Sequence, residues 1–203
     1  MKVVIFAENL NDSKAIKELI LGLRSDLSEG DIEVVRNPPT LTRNAGAAAV
    51  KGWAERAAAS VEALVAIKGD VGTVLAHTDA DAPDDGTFAE QRSADLQRAG
   101  LTGAVAVVPV HAIESWWFLY PDATESVVPS WKGALSRTAF NTDSSPTPKA
   151  DLIRLTKRKQ PKRPYQEADS VAVAAAMRAA NFAPVGKAKS PSFERFKVIV
   201  AAC

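Results

Sequence analysis

Four short apolar runs alternate with segments of helical period over the first 125 residues, and this alternation constrains the fold more than any other feature. The runs are KVVIFA (2–7), DIEVVR (31–36), VGTVLAHTD (71–79) and TGAVAVVPV (102–110). They are rich in β-branched residues and mostly apolar throughout, the pattern of strands buried on both faces and hence parallel. After the first run, Ala15, Ile16, Leu19, Ile20 and Leu23 share one helix face, with Asp12 or Ser13 placed as the N-cap. An alanine-rich helix candidate follows the break at NPPT (37–40), and GTFAEQRSADLQRAG ends in a glycine stop. HAIESWWFLY (111–120) reads as a short helix after the fourth run. The order predicts an α/β fold: a mainly parallel four-stranded sheet with helices on both faces.

Beyond residue 125 the character changes. SWKGALSRTAFNTDSSPTPKA (130–150) is loop-like, and DLIRLTKRK (151–159) and YQEADSVAVAAAMRAAN (165–181) read as helices. A last helix begins at SPSFERF, with Ser190 as N-cap and Pro191 at its first position. Two units are expected: an α/β domain over 1–125, and a basic, mostly helical C-terminal segment over 126–203 packed on it. The charge divides in much the same way. Residues 1–140 carry 13 Lys+Arg against 19 Asp+Glu, and residues 141–203 carry 12 against 5, so the net charge of +1 hides an acidic front and a basic back. A basic segment beside an acidic site suits a polyanionic partner; two solvated surfaces of opposite sign would look the same.

The single cysteine, Cys203, excludes a disulfide framework and a cysteine zinc site, and suggests a reducing, cytoplasmic setting. MKVVIFAE does not read as a signal peptide, because Glu8 interrupts the apolar run. No apolar run reaches the ~18 residues of a membrane span.

Carboxylates gather where the strands should end, the place where ligands bind in open parallel sheets. Glu8 and Asp12 follow the first strand, Asp79 and Asp81 the third, and Glu114 the fourth. Residues two apart in an extended segment point the same way, so Asp79 and Asp81 could grip one object together. Oxygen donors of this kind suit a hard cation, Mg²⁺ (or Mn²⁺), which keeps waters and room for a phosphate. Asp84 and Asp85 read as solvated loop residues, and His77 and His111 as core or near-core side chains. An EF-hand over 79–90 fails, since Pro83 and Asp84 occupy positions that need an oxygen ligand and a glycine.

The order FAENLND, HTDADAP, VPVHAIESWWF resembles a TOPRIM-type domain. More closely, it resembles a TOPRIM-like bacterial family of uncharacterised function, related to the OLD nucleases and often linked to phage-defence loci. The family's E-G-x-T-E pattern reads here Glu8-Asn9-Leu10-Asn11-Asp12, with Asn in place of Gly and Asp in place of the second Glu. Its D-x-D corresponds to Asp79-Ala80-Asp81 and its E-x-W to Glu114-Ser115-Trp116. PTPKADL around Pro148 and Lys149 and SPSFERF at the end match the family's tail.

The resemblance implies a Mg²⁺-dependent nuclease that hydrolyses nucleic-acid phosphodiesters as a component of a bacterial defence system. Its metal ligands would come from Glu8, Asp12, Asp79, Asp81 and Glu114, its catalytic groups from Glu8, Asp79, Asp81 and Lys149. Lys149 would stabilise phosphate charge; a surface lysine is the other reading. A topoisomerase would need a catalytic tyrosine, and neither Tyr120 nor Tyr165 has an obvious catalytic context. A TOPRIM primase commonly needs a cysteine zinc module. Nucleotide-sugar transferases and aspartyl-phosphate phosphatases also use DxD, but the first leaves Glu8 and Glu114 unexplained and the second places the motif on the first strand.

The alternative function is a non-catalytic nucleic-acid-binding or regulatory subunit of an ATPase complex, with the ATPase encoded nearby. The expected partner is nucleic acid, DNA or RNA, with no membrane; a homo-oligomer is open. Seven cations (Lys149, Arg154, Lys157, Arg158, Lys159, Lys162 and Arg163) stand against the single Asp151 between residues 149 and 163, and are expected to contact the phosphate backbone. A solubilising loop or a docking surface for an acidic partner competes with that reading. Of Trp116 and Trp117, one is expected in the core and one against the C-terminal segment, with base stacking as a further role.

Overall fold

The computed structural model of the chain describes residues 2–36, 41–136, 140–157, 163–183 and 187–203. Its sheet has four strands, β1 (Lys2–Phe6), β2 (Ile32–Val34), β3 (Val71–His77) and β4 (Ala104–Val107), in the order β2-β1-β3-β4. Every pairing is parallel, with Ile5 opposite Val34 on one side and Leu75 on the other. The helices are α1 (Leu10–Leu23), α2 (Ala47–Lys68), α3 (Thr87–Arg98), α4 (Pro121–Ser126), α5 (Pro148–Thr156), α6 (Ser170–Ala179) and α7 (Pro191–Ala201). Among the described residues no helix is long and apolar enough to cross a membrane.

Alternate residues of each strand enter different cores, because successive side chains leave a strand on opposite faces. Val3, Ile5 and Leu75 pack with Ile16 and Leu19 of α1, Val173 and Met177 of α6, and Phe193 and Phe196 of α7. Val4, Phe6, Val74 and Ala76 pack with Trp53 and Ala54 of α2 and Leu96 of α3. Both faces are therefore covered, which is why the strands read as continuous apolar runs. The first core runs across residue 125 without a break, so the C-terminal helices finish the face that α1 begins. Gly22 is required for this closure: a Cβ there would stand 2.5 Å from the Phe182 ring.

The strands are shorter at most ends than the apolar runs suggest, and the start of α1 differs. Asn9, not Asp12 or Ser13, is its N-cap; the Asn9 side chain accepts from the Asp12 amide at 3.0 Å. Asn caps as well as Asp or Ser, so the helix starts at the first residue able to hold its free amides. α7 begins where expected, with Ser190 accepting from the Phe193 amide and Pro191 in the first turn. HAIESWWFLY is a 3-10 helix over Ile113–Leu119, and NPPT lies outside the described residues.

Both tryptophans of that helix are fully buried. Trp116 stacks on Phe196, ring centroids 5.0 Å apart, and its Nε1 donates to Ser192 Oγ at 2.8 Å. Trp117 Nε1 donates to the Tyr165 hydroxyl at 3.2 Å. Neither ring is available to stack on a base, and both anchor the C-terminal segment.

Candidate metal and phosphate site

The strand order reverses direction between β1 and β3, which leaves a crevice outside their carboxyl ends. Glu8 follows β1 into it and Thr78-Asp79 follows β3. Thr78 Oγ1 lies 2.8 Å from Glu8 Oε1 and 2.9 Å from the Leu41 carbonyl, and the Asp79 amide donates to Glu8 Oε1 at 3.3 Å. Glu8 is thus clamped to the end of β3 although 71 residues separate it from Asp79. Thr78 is fully buried, and its single hydroxyl proton is shared between two acceptors.

Asp12 stands behind Glu8 on the first turn of α1, where the positive end of the helix tolerates a carboxylate. Asn9 Nδ2 donates to its Oδ2 at 2.7 Å. Burial pushes the Asp12 carboxyl up; Asp79 and Glu8 repel its charge in the same direction, while His77 opposes them. Glu114 sits in the 3-10 helix that follows β4. Burial, chiefly, raises it to about 7 from the usual 4.5, with repulsion from Asp79 and Asp12 adding and Lys149 subtracting. The fold therefore sets Asp12 in the field of Glu8 and Asp79, and Glu114 in that of Asp79 and Asp12, at a cost that a bound cation would relieve.

His77, the last residue of β3, is completely buried beneath them. Its Nε2 lies 3.4 Å from Asp79 Oδ1, but the geometry is not that of a hydrogen bond: both ring nitrogens and Asp79 Oδ1 lack a hydrogen-bond partner. Burial resists a charge on His77, and the carboxylates of Asp79, Asp12 and Glu8 outweigh it, raising the imidazole overall.

Asp81 departs from expectation. The extended path continues to Ala80, whose amide donates to the Pro109 carbonyl at 3.0 Å, and then turns at Asp81 with φ +52°. Period-two alternation holds only along an extended chain, so it no longer sets Asp79 and Asp81 on one side; Asp81 is exposed on the turn. Aspartate tolerates this left-handed conformation better than most residues. Asp84 is not solvated either. Its side chain is 5% exposed, accepts from the Phe88 amide at 3.1 Å and faces Arg195 Nη2 of α7 at 3.7 Å. Asp85 takes the amide and hydroxyl of Thr87 at the start of α3.

The C-terminal segment supplies the wall behind Glu114. The Tyr165 hydroxyl donates to Glu114 Oε1 at 3.3 Å, within 2.5 Å of Ser170 Oγ. Tyr165 has no sequence signal of its own; it is placed by its backbone N–H, which donates a hydrogen bond to Thr156 Oγ1. Lys149 acts on Glu114 electrostatically while pairing with Glu167. The other described cations of the basic stretch are mostly occupied. Arg154 pairs with Asp151, and Arg163 pairs with Asp169 and lies over the Trp131 ring. The sequence window shows one aspartate because Glu167 and Asp169 reach back from outside it. Arg158, Lys159 and Lys162 lie outside the described residues, and Lys157 is exposed.

The donor set facing the crevice is carboxylate oxygen, which suits Mg²⁺ or Mn²⁺. Among the described residues no three His, Cys, Asp or Glu side chains stand together as a ready-made metal group. Mg²⁺ does not require one, because it commonly binds through one or two carboxylates, waters and substrate phosphates. Asp79 Oδ1 is buried without a hydrogen-bond partner, with His77 Nε2 3.4 Å away. Comparison with protein-family models, with curated proteins and with solved structures returns no match to this chain.

Proposed function

We propose that the protein is a TOPRIM-like, Mg²⁺- or Mn²⁺-dependent nuclease that hydrolyses phosphodiesters at the crevice between β1 and β3, as a component of a bacterial defence system. The observation that carries the reading is the clamp of Glu8 onto Thr78 and Asp79 at the switch point of the sheet. It joins the acidic residues after the first and third strands, which the resemblance assigns to metal, in one crevice.

Glu8 and Asp79 would hold the ion, with Glu114 completing the set and Asp12 behind Glu8; Asp81, on its turn, would reach the ion only through water. The ion, when bound, polarises a phosphoryl oxygen and activates water. Thr78 fixes Glu8 and Asn9 fixes Asp12, so little reorganisation of these two carboxylates is needed for binding. Tyr165 orients Glu114, and Lys149 contributes positive charge on the same side.

The test is incubation of purified protein with Mg²⁺ or Mn²⁺ and single- and double-stranded DNA and RNA, beside a variant carrying Glu8→Gln and Asp79→Asn. Metal-dependent cleavage by the wild type and its loss in the variant are expected. Cleavage that survives in the variant overturns the assignment of the site. Binding without cleavage by the wild type replaces it with the non-catalytic reading, a nucleic-acid-binding or regulatory subunit working with an ATPase.

A further inference from the structure

The crevice has a cation that the resemblance does not supply. Arg43 lies on the loop between β2 and α2, and its Nη1 donates to the carbonyl of Ala80, the residue between Asp79 and Asp81. The same loop is tied to β3 through the Leu41 carbonyl and Thr78 Oγ1, the hydroxyl that also holds Glu8. Arg43 is therefore anchored on both sides of Asp79.

Its guanidinium is half-buried and has no carboxylate partner among the described residues. Its Cζ lies 5.4 Å from the centroid of the Phe88 ring, a cation-π contact that limits its movement. Arg92, almost fully buried, holds the loop from below: its Nη2 donates to the carbonyls of Thr42 and Arg43 at 3.2 and 2.8 Å, and it too lies against Phe88. A buried arginine thus positions an accessible one. Lys149, Arg154, Arg163 and Arg195 each face a carboxylate, whereas Arg43, beside the acidic crevice, meets only a carbonyl and an aromatic ring. The planar guanidinium fork matches the paired oxygens of a phosphate.

We propose that Arg43 binds a phosphate of the nucleic-acid backbone and places it across the carboxylates of Glu8 and Asp79. The inference rests on the nucleic-acid reading of this site and adds the residue that receives the polyanion. Carboxylates alone repel a phosphodiester, so the crevice needs a fixed positive group besides a metal ion. Arg43 is that group, with the Ala80 carbonyl setting its direction.

The test measures binding and cleavage separately. Binding of a labelled, cleavage-resistant phosphorothioate single strand is followed by anisotropy against salt in Mg²⁺, and cleavage is assayed on the unmodified strand. The proteins are the wild type, Arg43→Ala and Arg43→Gln, the last keeping a donor for the Ala80 carbonyl without the charge. Both variants should bind about tenfold more weakly, with the slope of log K against log salt smaller by about 0.7. The metal-induced rise in melting temperature should stay as in the wild type. Wild-type affinity and slope in both variants overturn the proposal, whether or not the protein cleaves. If the wild type binds without cleaving and the variants lose affinity and slope, Arg43 keeps its role and hydrolysis falls. If the wild type neither binds nor cleaves, both fall.

Discussion

The hydroxyl of Tyr165 lies 3.3 Å from Oε1 of Glu114, so a residue of the C-terminal segment holds a carboxylate of the 3-10 helix that follows β4. Trp117 Nε1 and Ser170 Oγ bond the same hydroxyl, and burial pushes the phenol well above its usual range, with the charge of Glu114 adding. The phenol is therefore a proton donor throughout the working pH range. Tyr165→Phe should lower stability by about 1–2 kcal/mol in urea unfolding, because Trp117 Nε1 loses its acceptor in a buried setting. Unchanged stability would show that the network carries no net energy.

Glu114 predicts a pH dependence. A carboxyl raised in the folded state binds its proton more tightly there than in the unfolded chain. Stability is then full below the usual 4.5 and declines as pH rises through about 7. The groups that face it are Asp79 and Asp12, which deepen the effect, Lys149, which reduces it, and the Tyr165 hydroxyl. For the metal-free protein, Glu114→Gln should raise the unfolding free energy at pH 8, by at most about 3 kcal/mol, and leave it nearly unchanged near pH 4.5. An equal effect at both pH values would exclude titration of Glu114 as the cause.

Thr78 predicts a link between the clamp and metal. Thr78→Val keeps the shape of the side chain and removes the contacts to Glu8 Oε1 and the Leu41 carbonyl. A loss of about 1–2 kcal/mol is expected, the cost of a buried bond without a partner. Titration with Mn²⁺ should raise the melting temperature of the wild type by mass action, and less so that of Thr78→Val at the same concentration. The shift should vanish in Asp79→Asn and persist in Asp81→Asn. A shift of wild-type size in Asp79→Asn would place the ion elsewhere.

Asp84 and Arg195 join the loop after β3 to α7, and Asp84 Oδ2 and Arg195 Nη2 are buried without a hydrogen-bond partner. Removing one member leaves the other charge in a poorly hydrated place. Asp84→Ala should therefore cost about 2 kcal/mol, and Asp84→Ala with Arg195→Met should recover part of the loss. Additive single and double effects would show that the pair is not coupled.

The sequence by itself determined the frame of the protein. Apolar runs of β-branched residues separated by helical periods are local signals, and only a parallel sheet covered on both faces buries them all. The same logic put Glu8, Asp79 and Glu114 at carboxyl ends of strands, because position relative to a strand end is also local. The tertiary structure decided what depends on distant partners. Arg43 and Tyr165 carry no local mark; the first reaches the site by a carbonyl 37 residues away and the second by a carboxylate 51 residues away. The cations of the basic stretch looked free because Glu167 and Asp169 lie outside that window and reach it only after folding. The alternation expected of Asp79 and Asp81 failed because one backbone angle ended the extended path, and period-two spacing cannot report where a strand turns.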